Sequence, residues 1–120
     1  MEYYVYVYLD PRKPGRFIYG EYQFDYEPFY IGKGKGERYR KHLLTVKNGK
    51  YGNIPKNHII KKILDEGKEP VILKYFQNID EKTSFILEKD MIKNIGRFDE
   101  KSGPLRNLSD GGEGPSGCRR

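Results

Sequence analysis

The first ten residues contain an alternating run that is typical of a β-strand, because successive side chains of a strand point to opposite faces. One face carries Tyr3, Val5, Val7 and Leu9, and the other carries Tyr4, Tyr6 and Tyr8. We expect the aliphatic side to face the core and the phenols to line the opposite side. The Pro- and Gly-containing segment from Asp10 to Gly15 is expected to end the strand, since Pro lacks a ladder donor and Gly accepts turn dihedrals.

Further along the chain, the periodicity predicts two more strands and three helices in one compact domain, which is what 120 residues allow. The predicted elements are an extra hairpin arm at 17–24, a strand at 29–32, a helix at 37–46, a loop at 47–55, a helix at 56–66, a strand at 71–76 and a helix capped by Asp80 that ends near Gly96. The predicted fold class is α/β (α+β), with a small, mainly three-stranded antiparallel sheet flanked by helices.

Positive charge is concentrated in one segment of the chain. The net charge is +6, but residues 31–64 hold ten basic residues and one acidic residue, which is +9 locally and leaves −3 elsewhere. Such a face suits a polyanion, and the interleaved aromatics Tyr39 and Tyr51 favour nucleic acid over a merely solvated basic surface. The candidate phosphate contacts are Lys35, Arg40, Lys41 and Lys61.

Glu88 is a charged residue on the apolar stripe of the third predicted helix, three residues after Phe85 and four before Ile92. A carboxylate among core positions is costly unless something pairs with it. A buried salt bridge to Arg or Lys is one explanation. The other is a ligand for a hard divalent cation, Mg²⁺ or Mn²⁺, which would complete its shell with waters and substrate phosphate oxygens.

Arg38 and His42 are four residues apart, so both are expected to project from one helix face towards the strands. A guanidinium suits a pair of phosphate oxygens and would stabilise the charge of a pentacovalent transition state. The alternatives are an ordinary surface arginine and a structural histidine next to Leu43. Lys33 is placed to steady a tyrosinate or to bind phosphate.

Tyr6 and Tyr30 are the candidate general bases, although only about one phenol in a thousand is ionised at neutral pH. Lys33, Arg38 and a metal-bound water would have to favour the phenolate, and water or His42 could substitute as the base. Without such cations both tyrosines are core and edge aromatics. Together these residue types are suited to cutting a phosphodiester.

On two short motifs the chain resembles the GIY-YIG nuclease family over roughly Tyr4 to Gly117. Tyr4-Val5-Tyr6 stands at the GIY position with the final Tyr identical, and Tyr30-Ile31-Gly32 matches YIG in full. The gap between the motifs makes residues 11–28 an insertion, so Tyr4 or Tyr8 could take the place assigned to Tyr6.

The resemblance implies a role for each matched residue. Arg38 is the catalytic arginine, His42 an active-site position, Glu88 the metal-binding glutamate, Asn107 the supporting asparagine, and Lys33 the lysine that follows YIG in some members, including repair nucleases. The implied reaction is metal-dependent hydrolysis of DNA by water, leaving 5′-phosphate and 3′-hydroxyl ends. The alternative is a non-catalytic basic nucleic-acid-binding module of the same fold.

The Gly-rich tail at 109–120 is expected to be flexible, and it resembles the end of the catalytic module in phage-type homing endonucleases, where a linker and a DNA-binding region usually follow. We expect either a chain truncated after Arg120 or a module that works alone. Cys118 is the single cysteine, which excludes an intrachain disulfide and a multi-cysteine zinc site. No signal peptide or bilayer-spanning run is apparent, so a cytoplasmic protein is expected.

Overall fold

The computed structural model describes residues 1–50, 52 and 54–111. Its elements are β1 (Tyr3–Tyr19), β2 (Tyr22–Gly34), a 3₁₀ turn (Arg38–Arg40), α1 (Lys41–Lys47), α2 (Pro55–Asp65), β3 (Val71–Ile79), α3 (Glu81–Ile95) and a second 3₁₀ turn (Phe98–Glu100). The strands form one antiparallel sheet in the order β2-β1-β3. The predicted three-stranded α+β fold is confirmed.

The first strand is longer than the sequence pattern predicted, because the segment from Asp10 to Gly15 does not end it. β1 continues to Tyr19 and pairs with β2 throughout, with register shifts between Asp10 and Pro14 and between Pro14 and Phe17. The pairing of β1 with β3 stops at Leu9, so beyond that point β1 is an edge strand. Edge strands and bulges tolerate Pro, since a missing donor there breaks no ladder bond.

The helix predicted at 37–46 is divided into the Arg38–Arg40 turn and α1. The helices predicted at 56–66 and after Asp80 are confirmed as α2 and α3, and the Asp80 side chain accepts a hydrogen bond from the Thr83 N–H group at 2.8 Å. None of the helices in the described part of the chain combines the length and apolar character that a membrane crossing requires.

Each face of the sheet packs against its own helices. What we call the aliphatic face consists of Val5, Val7, Leu9 and Ile31, packed against Met91, Ile92 and Ile95 of α3. What we call the tyrosine face consists of Tyr4, Tyr6 and Tyr8, packed against Leu43 and Val46 of α1 and Ile60 and Ile63 of α2. The predicted division into aliphatic and phenolic sides is therefore confirmed, and the phenols are buried as deeply as the aliphatic residues.

Candidate active site

The phenol of Tyr6 lies across Gly32, its partner in the β1–β2 ladder. A Cβ atom added to Gly32 would lie 2.3 Å from both Cζ and Oη of Tyr6. Only a glycine therefore allows the ring to cross the edge strand β2 at this point. The second sequence motif thus supplies the space that the tyrosine of the first motif occupies.

Tyr4 and Tyr8 place their hydroxyl groups differently from the phenol between them. The Tyr4 hydroxyl donates to the Gly36 carbonyl at 2.8 Å and accepts from the Tyr39 N–H group at 3.0 Å. The Tyr8 hydroxyl donates to the Tyr39 carbonyl at 2.7 Å and accepts from the Leu43 N–H group at 3.3 Å. Both phenols therefore fix the backbone around the 3₁₀ turn and the start of α1.

Two charged residues act on the Tyr6 phenol from separate elements. Burial holds the pKa of Tyr6 well above its usual value of 10, and the neighbouring phenols Tyr30 and Tyr8 raise it further. The Glu88 carboxylate also raises this pKa, whereas the Arg38 guanidinium lowers it. The fold therefore brings a carboxylate from α3 and a guanidinium from the 3₁₀ turn to one phenol.

Glycines also lie against these two charged side chains. A Cβ atom on Gly34 would lie 2.9 Å from Cδ of Arg38, so the exposed arginine side chain folds closely over β2. Gly111, at φ +78°, packs against the half-buried Glu88, because a Cβ atom there would lie 3.0 Å from Oε1 of Glu88. The segment that follows Asn107 therefore returns to cover the carboxylate.

His42 occupies the centre of an aromatic cluster on the tyrosine face. Its ring centroid lies 4.9 Å from that of Tyr30, 6.0 Å from Tyr8 and 6.4 Å from Tyr6. Burial, followed by the nearby cations Lys56, Lys41 and Arg38, lowers the pKa of His42 to about 3. The imidazole is therefore neutral at physiological pH, with Tyr30 as its nearest aromatic neighbour in this cluster.

Asn107 holds the second motif in place through the backbone of Ile31. Its Oδ1 atom accepts from the Ile31 N–H group at 3.0 Å, and its Nδ2 group donates to the Ile31 carbonyl at 2.8 Å. The Arg97 guanidinium in turn donates to Asp110 at 2.7 Å and to the Leu108 carbonyl at 3.2 Å. The loop that carries Asn107 is therefore tied both to β2 and to the end of α3.

The remaining predicted site residues lie outside this cluster. The Lys33 ammonium lies 3.9 Å from the centroid of Phe85, on the α3 side of β2, and Lys35 lies 5.6 Å from the Tyr3 ring. The other basic candidates lie at the surface or pair locally: Lys41 is exposed, Arg40 contacts Glu37 at 3.4 Å, and Lys61 contacts Asp65 at 2.6 Å. Tyr51 and most of the predicted tail lie outside the described residues.

Lys56 was not singled out from the sequence, although its Nζ atom lies 5.1 Å from the centroid of the Tyr30 ring. The signal that identified Glu88 was present here as well. Lys56 lies four residues before Ile60 and seven before Ile63, both of which are buried, so it is a charged residue on an apolar helix stripe.

Glu88 is the carboxylate that the sequence assigns to a divalent cation. Within residues 1–50, 52 and 54–111, no group of three or more His, Cys, Asp or Glu side chains is arranged to hold a metal ion. Glu88 is half-buried, and its charge raises the pKa of the Tyr6 phenol. This donor set fits a magnesium ion that keeps most of its waters and takes its other ligands from a substrate phosphate.

The fold brings the two sequence motifs together, since Tyr6 of the first motif lies across Gly32 of the second. A family model described as the LEM-3-like GIY-YIG domain matches residues 3–114, so the chain belongs to the GIY-YIG nuclease family. Neither a curated protein nor a solved structure gives a significant match to the chain.

Proposed function

We propose that the domain is a metal-dependent endonuclease that hydrolyses DNA phosphodiester bonds by attack of water, leaving 5′-phosphate and 3′-hydroxyl ends. The observation that carries this proposal is that the phenol of Tyr6, which crosses β2 at Gly32, is within the electrostatic influence of both Arg38 and Glu88. These side chains come from β1, the 3₁₀ turn and α3. A phenol, a guanidinium and a carboxylate can supply a proton-transfer group, a stabiliser of transition-state charge and a metal ligand for phosphodiester hydrolysis.

Two phenols are available to handle the proton of the attacking water. Tyr6 is 2% exposed and its pKa is raised well above 10, so it is protonated in the free protein and is suited to donate a hydrogen bond. Tyr30 is half-buried and lies against the neutral His42 ring. We therefore assign the proton-accepting role to Tyr30 and the orientation of its ring to His42.

Arg38 and Glu88 handle negative charge in this mechanism. Arg38 is exposed at the edge strand, where its planar guanidinium can reach two phosphate oxygens and stabilise the charge that develops in the transition state. Glu88 would hold the divalent cation, which supplies Lewis-acid polarisation of the phosphate when bound. Asn107 keeps Ile31, and with it the neighbouring Tyr30 and Gly32, in register for the reaction.

The surface lysines and Arg40 are assigned to binding of DNA backbone phosphates and take no part in bond cleavage. Lys35 and Lys41 are exposed and close to the 3₁₀ turn in sequence. Arg40 and Lys61 share their charge with Glu37 and Asp65, so their contribution to phosphate binding is expected to be smaller. Such contacts position the duplex without reading its sequence.

Incubation of supercoiled plasmid with the protein and magnesium, with EDTA as the control, tests this function. We expect nicking that requires the metal. Glu88→Gln should keep the fold and the DNA affinity but lose cutting, because the amide keeps the shape and removes the charge. Cleavage by Glu88→Gln at the wild-type rate would show that the metal assignment is wrong.

A binding module of the same fold is the second candidate function. The raised pKa of the buried Tyr6 favours it, because this tyrosine is then excluded as the base and the nuclease depends on Tyr30 to accept the proton. If the wild-type protein binds DNA but nicks it with neither magnesium nor manganese, the binding module replaces the nuclease.

A further inference from the structure

Lys56 provides a cation on the side of the site opposite to Arg38. The ring of Tyr30 lies 5.1 Å from the Lys56 ammonium, whereas the Arg38 side chain folds over Gly34. Tyr30 and Gly34 stand on either side of Gly32 in β2 and are about 13 Å apart along an extended strand. The two cations therefore approach the contact between Tyr6 and Gly32 from opposite ends of one strand segment.

The charge of Lys56 is not balanced by a neighbouring acid. Among the residues that the structure describes, no carboxylate forms an ion pair with Lys56, and the first turn of α2 contains no acidic residue. Lys61 of the same helix differs, because it contacts Asp65 at 2.6 Å. Lys56 is half-buried, and its burial lowers the pKa of the ammonium. A partly desolvated cation is costly, and an aromatic ring compensates only part of that cost.

An anion is the partner that such a cation lacks. The Lys56 charge acts directly on His42, whose pKa it lowers, so the ammonium faces the same cluster as the proposed catalytic residues. We propose that Lys56 binds a phosphate oxygen of the substrate strand on the Tyr30 side of the site. This inference rests on the proposed function and extends it by naming a second phosphate-binding cation, from α2.

The test uses a thymidine trinucleotide, a short probe with only two phosphodiesters. Binding is followed in EDTA by NMR, from the shifts of the Tyr30 and His42 ring signals. Lys56→Met should weaken binding by about tenfold to a hundredfold, which corresponds to one charge-assisted hydrogen bond. Lys56→Arg, which keeps the positive charge, should retain most of the affinity.

The matched control is Lys68→Met, because Lys68 is an exposed lysine shortly after α2 and outside the cluster. It removes the same charge and should leave trinucleotide binding unchanged. Thermal unfolding of Lys56→Met separates binding from folding. Removal of a partly desolvated cation should leave the midpoint unchanged or raise it, whereas a structural role for Lys56 would lower it.

Each outcome decides between the alternatives. Unchanged trinucleotide binding by Lys56→Met, equal weakening by Lys68→Met, or the lack of any Tyr30 or His42 shift in the wild type would overturn the inference. If plasmid is not nicked but trinucleotide binding still depends on Lys56, the nuclease proposal fails and this inference stands. If plasmid is nicked and trinucleotide binding does not depend on Lys56, the nuclease proposal stands and this inference fails.

Discussion

The two faces of the sheet are equally buried but differ in what they can do. Val5 and Val7 on the aliphatic face are fully buried and pack against α3, and their side chains offer only apolar contact. Tyr6 and Tyr8 on the tyrosine face are 2% and 0% exposed, yet each has a hydroxyl that must be accommodated. Burial on the aliphatic face therefore only stabilises the fold. On the tyrosine face, burial also requires that each hydroxyl group has a hydrogen-bond partner or another polar contact.

The comparison shows where chemistry becomes possible in so small a domain. The hydroxyl groups of Tyr4 and Tyr8 form hydrogen bonds with the backbone around the 3₁₀ turn and the start of α1. The bonds of Tyr8 to Tyr39 and Leu43 are an example. The middle phenol, Tyr6, instead crosses the edge strand at Gly32 and meets charges from both sides of the sheet. Function is thus expected where the tyrosine face reaches the edge of β2.

The largest effect should come from removing the reacting groups on the tyrosine face. Tyr6→Phe, Tyr30→Phe and Arg38→Ala should each lower turnover by about a hundredfold to ten-thousandfold, with DNA affinity nearly unchanged, because they act on charge that develops only during reaction. Single-turnover cleavage and DNA binding, measured side by side, check this.

Tyr26→Phe is a matched control for these variants, since Tyr26 lies in the distal part of the β1–β2 hairpin. The Tyr26→Phe variant should cut DNA like the wild type. One of the two active-site tyrosine variants can retain partial activity if water or His42 takes the proton. If all three variants cut DNA at the wild-type rate, the tyrosine face has no catalytic role and the proposed difference from the aliphatic face is wrong.

The next effect concerns the aliphatic face, where stability rather than turnover should change. Met91→Ala deletes a fully buried side chain of α3 and should lower the free energy of unfolding by about 2–5 kcal/mol. Denaturant unfolding measures the loss. Turnover per folded molecule, assayed where the variant remains folded, should stay near the wild-type value, and a hundredfold drop would show that packing on this face controls the position of Glu88 in α3.

A smaller effect should follow from the loss of one buried hydroxyl group. Tyr8→Phe keeps the ring but leaves the Tyr39 carbonyl and the Leu43 N–H group without their partner. We expect a loss of about 1–3 kcal/mol in the free energy of unfolding, because a buried polar group without a hydrogen-bond partner is desolvated with no compensation. A loss no larger than that of Tyr26→Phe would indicate that this hydroxyl has no structural role.

The smallest effect should come from the basic surface. Lys35→Met and Lys41→Met should each weaken DNA binding about equally across sequences and reduce the slope of log affinity against log salt by about 1. Lys61→Met should change the slope less, since Asp65 already pairs with this ammonium. Weakening confined to one DNA sequence would instead indicate base reading.

The sequence predicted the elements with a strong local period and missed those decided by the neighbouring strand. The alternation of Tyr3 to Leu9, the two long helices and the Asp80 cap depend on local patterns and are confirmed. The extension of β1 beyond Asp10 was missed, because the prolines in the sequence predict the end of the strand. Proline is excluded only from the interior of a sheet and is tolerated in an edge strand. Whether β1 is interior there depends on where β3 ends.

The same division applies to the candidate site. By itself the sequence determined which residue types were available: two motif tyrosines, a helical arginine and histidine, and a carboxylate on an apolar stripe. Only the tertiary structure decided that Tyr6, and not Tyr4 or Tyr8, lies over Gly32, and that Lys56 joins the cluster at Tyr30. The reason is physical: side-chain period depends on neighbours along the chain, whereas hydroxyl partners and electrostatic neighbours come from elements that are distant in sequence and are brought together by packing.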